Sequence, residues 1–81
     1  MYGSISRAKF ERLLARRLDK VRVGTAQRAK ALIGASWRGM IDDMYTQNAE
    51  RLIANQFAIV MTECADMIVQ LVKSIQSNDR R

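Results

Sequence analysis

Histidine and proline are both missing from this 81-residue chain, and cysteine occurs once. Without histidine the commonest general base and metal ligand is gone. A lone Cys64 can build neither a zinc site nor an internal disulfide, and it fits a reducing compartment. No carboxylate cluster and no nucleotide-binding loop is present. Asp42 and Asp43 are adjacent on a helical stretch, so they point in different directions and read as solvated surface acids. The expectation is a non-enzyme with no cofactor and no metal. Long apolar runs are lacking as well. The longest, Phe57–Met61, has five residues, against the roughly 20 that a transmembrane helix needs. No signal-peptide core is visible. Residues 5–22 are Arg-rich and amphipathic, as a mitochondrial presequence would be, but Glu11 and Asp19 speak against that reading. A cytoplasmic location is therefore expected.

With no proline and only four glycines, few signals interrupt a helical pattern, and an all-α fold is expected. Ser4 or Ser6 can cap a first helix over about 6–22. Its apolar positions Phe10, Leu13, Leu14, Leu18 and Val21 follow the three-four spacing of one face. Gly24 suits a left-handed stop, and Thr25 after it is an N-cap candidate. The apolar spacing then continues through Leu32, Ile33, Trp37, Met40, Ile41, Met44 and Tyr45. It resumes through Leu52, Ile53, Phe57, Val60, Met61, Cys64, Met67, Ile68, Leu71, Val72 and Ile75. A single helix across all of this would be long for a compact domain. A break near Thr46–Asn48 gives helices over about 25–46 and 48–76, with a frayed tail at 77–81. Trp37, Cys64 and the methionines fall on the apolar faces and read as core.

One domain of this size buries only about 60% of its unfolded surface. Yet 48% of the residues are hydrophobic, five of them Met. That excess of apolar surface favours a homodimeric helical bundle. Residues from Leu52 to Ile75, with Trp37, are expected to supply core and dimer seam.

The formal net charge is +6, and it is unevenly spread. Residues 1–38 hold ten Lys or Arg against Glu11 and Asp19, whereas 39–81 hold four against six acids. A basic half joined to an apolar, mildly acidic half suggests one part that meets a polyanion and another that packs. Arg outnumbers Lys ten to four, and guanidinium forks grip phosphate bidentately.

On the first helix Lys9, Arg12, Arg16 and Lys20 lie opposite the apolar face, with Arg7 and Arg17 at its flanks. At 1.5 Å per residue Lys9 and Lys20 stand roughly 16 Å apart. Like charges four apart repel by a few tenths of a kcal/mol per pair, which an anionic partner would relieve. Acids usually complement a helix start, but Arg22, Arg28 and Lys30 surround the Gly24–Thr25 cap instead. Free backbone N–H groups with three cations would make a phosphate cradle, and Arg38 could extend that surface. No helix gathers Asn, Gln and Arg at a recognition start, so backbone and shape are the expected targets. Tyr2 and Phe10 do not interleave with the charges as a single-strand stacking platform requires. The contacts expected are thus Lys9, Arg12, Arg16, Lys20, Arg28 and Lys30, with Arg22 and Arg38 beside them.

Two family resemblances add to this. Gln27-Arg28-Ala29-Lys30 followed by Ile33 resembles the basic segment of the small RNA-silencing suppressors of insect nodaviruses. Ala35 stands near the place of that family's next Arg, and its Pro-containing segment has no counterpart. The resemblance implies a helical homodimer that lies along double-stranded RNA without reading its sequence, acting in a host cytoplasm. Trp37-Arg38-Gly39, with Tyr45 eight residues after the Trp, is similar to the WXG-type secreted helical hairpins, which place that motif at the turn between two helices. That likeness implies secretion and protein partners. A third reading lays the cationic amphipathic first helix on an anionic membrane, although its apolar face is needed for packing.

Overall fold

The computed structural model describes residues 5–79, and among them the chain is all-helical with no strand. Five helices follow one another: α1 (Arg7–Val21), α2 (Thr25–Ile33), α3 (Ser36–Gln47), α4 (Ala49–Ile53) and α5 (Phe57–Asp79). Two expected helices are therefore each divided, and Ser77–Asp79 continue α5 rather than fraying. Ser4 and the last two arginines lie outside the described residues.

Ser6 caps α1: its backbone is extended and its Oγ accepts the Lys9 N–H at 3.1 Å. Phe10, Leu14 and Leu18, spaced four apart, are completely buried. Val21 departs from the expected face, being 69% exposed. It ends the helix and borders a shallow hollow beside Ile68, Val69 and Val72 instead of entering the core.

The turn between α1 and α2 is held from both sides. Gly24 adopts φ 82°, and it, not Thr25, occupies the N-cap position of α2. The Thr25 hydroxyl donates to the Arg22 carbonyl at 2.6 Å. Asp19, from the last turn of α1, accepts the Ala26 N–H at 3.0 Å. A carboxylate at a helix C-terminus is poorly placed for its own dipole, and here it serves the N-terminus of the next helix.

Gly34 ends α2 with φ 66° and ψ −134°, a conformation that side chains resist, so the chain turns before α3. The apolar spacing runs unbroken through this corner because Ile33 and Trp37 happen to stay four apart. The α3–α4 junction is gentler. Asn48 alone separates them, its side-chain amide donating to the Met44 carbonyl at 2.8 Å. After α4 the chain stops again at Asn55, the one non-glycine with positive φ among the described residues, at 66°. The N–H groups of Asn55 and Gln56 return to the carbonyls of Leu52 (3.1 Å) and Arg51 (2.9 Å). That is a Schellman motif with asparagine in the left-handed position glycine usually takes.

The core is one cluster to which α1, α2, α3, α4 and α5 all contribute. Trp37, Ile41 and Met44 enter it from α3, Leu52 from α4, and Val60, Met61, Cys64, Ala65 and Ile68 from α5. The core residues expected between Leu52 and Ile75 divide by face. Ile53, Ile59, Met67 and Leu71 are exposed. Helix α1 packs mainly on α2 and α5, whereas α3 lies on α1 with few close backbone approaches to α5. The molecule is drawn out to 49 × 23 × 16 Å with a radius of gyration of 13.0 Å. A typical domain of this length would have about 11.7 Å. The longest helix, α5, has 23 residues and spans about 34 Å.

Candidate nucleic-acid interface

All eight expected contact residues are exposed, and none forms an ion pair among the described residues. Six of them fall into two groups, and Lys30 and Arg38 stand apart. Lys9, Arg12, Arg16 and Lys20 form the stripe on α1, turned away from buried Phe10, Leu14 and Leu18. Arg22 and Arg28 meet at the corner between α1 and α2, bordering a small hollow with Val23, Gly24 and Thr25.

Lys30 leaves that corner. Two residues after Arg28, it is turned by roughly 200° about the helix, and it stands in the last turn of α2. There it complements the helix C-terminus, and its charge acts on Glu11. The cradle expected around Gly24–Thr25 is corrected in a second way. Asp19 already occupies the Ala26 N–H, so the helix start holds a carboxylate of its own. Spacing along the chain does not reveal this, because Asp19 reaches α2 only once the turn folds. Arg38 is exposed on α3, and its carbonyl accepts a bond from Arg7 at 3.3 Å.

One contributor to the corner escapes sequence reasoning. Lys73 belongs to the acidic half, yet α5 returns it beside Arg22 and Arg28 along the hollow floored by Ile68, Val69 and Val72. Cations from α1's end, α2 and α5 thus share one edge.

Several acids have partners other than these cations. Arg7, placed by sequence at the stripe's flank, bonds both Glu11 and Asp42. These carboxylates, with Asp42 foremost, hold its guanidinium above the usual arginine range. Glu11 also accepts the Trp37 indole N–H at 2.8 Å. That bond, followed by Arg7 and Lys30, pulls the Glu11 carboxyl below the usual range against the opposing effect of burial. Arg51 grips both oxygens of Glu63, at 2.6 and 3.2 Å, which likewise lowers the Glu63 carboxyl. The acids that bond to cations therefore bond to Arg7 and Arg51, leaving the eight expected residues facing solvent.

Trp37 is buried, as its place on the apolar face implied, and Trp37-Arg38-Gly39 lie within the start of α3 just after the Gly34 turn. Cys64 is buried in the core and its thiol is pushed up by burial. Among the described residues no group of His, Cys, Asp or Glu could hold a metal ion, and no helix is long and apolar enough to cross a membrane. No family model, curated protein or solved structure matches the chain.

Proposed function

We propose that this protein binds the phosphate backbone of duplex RNA without reading its sequence, and that it does so as a non-enzymatic homodimer. The observation that carries the reading is the set of exposed cations left without partners while the neighbouring acids are used internally. Lys9, Arg12, Arg16 and Lys20 stand on one rigid helix, and Arg22, Arg28 and Lys73 continue the positive surface around its end. Regularly spaced charges on a stiff element suit a regular row of phosphates. Double-stranded RNA is engaged largely by shape and backbone, because its major groove is too narrow for side chains to read. Phe10 and Trp37 are buried, so a stacking platform for single strands is not available from them.

A second copy is supported by α5. Met67 and Leu71, one turn apart, are 59% and 39% exposed. Met67 borders a hollow with Met40 and Met44 between α3 and α5. Pairing two chains there would cover these methionines and double the cationic surface. A role in suppressing RNA silencing is the further step that the resemblance of Gln27–Lys30 and Ile33 adds.

The test is a gel-shift with duplex RNA, duplex DNA and single strands of one unrelated sequence at two salt concentrations. Duplex RNA is expected to bind most tightly. Arg16→Ala and Arg28→Ala should each weaken binding evenly across sequences and reduce the salt slope by about one. Unchanged affinity and slope in both variants would discard this surface. A monodisperse monomer in light scattering would discard the dimer.

A further inference from the structure

A hollow of about 540 Å³ lies where α1 meets the first turn of α5. That falls within the roughly 300–1,000 Å³ of small-molecule sites. Its walls are of two kinds. Leu13, Phe57, Ala58 and Met61 supply an apolar floor, and Arg16, Arg17 and Lys20 line its cationic side. No acidic residue lines it, and none of the three cations has an ion-pair partner among the described residues.

Apolar floor and unpaired cations together select a ligand that is itself divided. A bare inorganic anion would leave Phe57 and Leu13 in water, whereas a neutral apolar molecule would make no use of the three charges. A nucleobase fits poorly. The lining offers cationic donors and apolar surface but no side-chain acceptor for the N–H groups of a base. A hydrocarbon tail has no such groups to satisfy, and a carboxylate matches the planar fork of arginine. We infer that this groove binds a free single-chain amphiphilic anion, an acyl carboxylate, with its head on Arg16, Arg17 and Lys20 and its tail over Leu13, Phe57, Ala58 and Met61.

The inference stands on the groove and not on nucleic-acid binding, although the two share Arg16 and Lys20. An occupant would neutralise part of the stripe, so acyl carboxylate and duplex RNA would compete. The experiment is calorimetric titration of the full chain with dodecanoate below its micellar concentration, in the absence of nucleic acid. Butanoate and dodecyltrimethylammonium serve as the head-only and reversed-charge controls. Saturable binding of dodecanoate at one site, at least about tenfold tighter than either control, is expected. Ala58 is exposed, so Ala58→Trp can fill the groove without disturbing the core. It should abolish dodecanoate binding while leaving duplex RNA binding unchanged. Arg17→Gln, outside the proposed nucleic-acid set, should weaken dodecanoate about tenfold. The inference is overturned if the three compounds bind alike, if Ala58→Trp has no effect, or if only anionic vesicles or acidic peptides bind.

Discussion

Glu11 is the residue whose loss should be felt most beyond its own contacts. It joins Arg7 on α1 to the Trp37 indole on α3. Removing a part-buried acceptor leaves its donors to be satisfied by water or not at all, at a cost of about 1–3 kcal/mol. Glu11→Ala is accordingly expected to lower stability by about that amount in urea denaturation followed by Trp37 fluorescence. The pH dependence has a defined sign. Because folding lowers the Glu11 pKa, its contribution is complete above the unfolded value of about 4.3. It is lost as pH falls through the lower folded value. The stability gap between the native protein and Glu11→Gln should therefore be widest near neutrality and close on acidification; a gap that grows in acid would contradict this role. Sequence reasoning sees in Glu11 only an acid within a basic stretch, because it sees the helix alone. The Trp37 partner lies 26 positions away, and only the packing of α3 on α1 brings it near.

At the scale of elements, apolar spacing identifies the helical content and the buried faces of α1, α3 and α5, while the corners escape it. Gly34 sits between Ile33 and Trp37, whose four-residue separation continues the pattern as though no turn existed. Asn55 turns the chain in a conformation that asparagine adopts as an occasional substitute for glycine. No proline or glycine marks the place. Gly24 is recognisable because a glycine and a threonine of the type that caps helices are adjacent there, although Gly24 itself takes the N-cap position. The structural cost of altering Gly34 is confined to the backbone, since a Cβ added there would meet nothing within 4 Å. With φ at 66° and ψ at −134°, Gly34→Ala is expected to destabilise by about 1–3 kcal/mol. Each kcal/mol shifts the melting temperature by roughly 4–8 °C in a domain of this size. A thermal melt unchanged from the native protein would mean that α2 and α3 join in some other way.

For the whole molecule, net charge is the dominant long-range property. All of the excess positive charge resides on residues 1–38, and the cations of the α1 stripe repel one another without ion-pair partners among the described residues. Salt screens such repulsion over about 10 Å at 0.1 M and less at higher concentration. Raising sodium chloride should therefore increase the melting temperature of the free protein while weakening its complex with duplex RNA, two effects of opposite sign from one cause. A melting temperature that falls with salt would show that attractive ion pairs outweigh the stripe. The charge segregation itself was plain in the sequence, as were the four stripe positions on α1. The convergence of Lys73 with Arg22 and Arg28 was not, because it depends on the direction in which α5 returns.

The sparse backbone contact between α3 and α5 leaves the helices unequally packed. Helices α1, α2 and α5 pack on one another, while α3 is tethered chiefly along α1 and flanked by the turns at Gly34 and Asn48. Units with fewer packed partners open first in native-state fluctuations. In α3 that tendency is opposed by Trp37, Ile41 and Met44 in the shared core, and α4 is held to α5 by Leu52 and by Arg51 on Glu63. Seven of the eight expected cations lie outside α3, all but Arg38, whereas Met40 and Met44 of the proposed seam belong to it. Motion of α3 would thus act on the proposed seam while leaving the charged face in register.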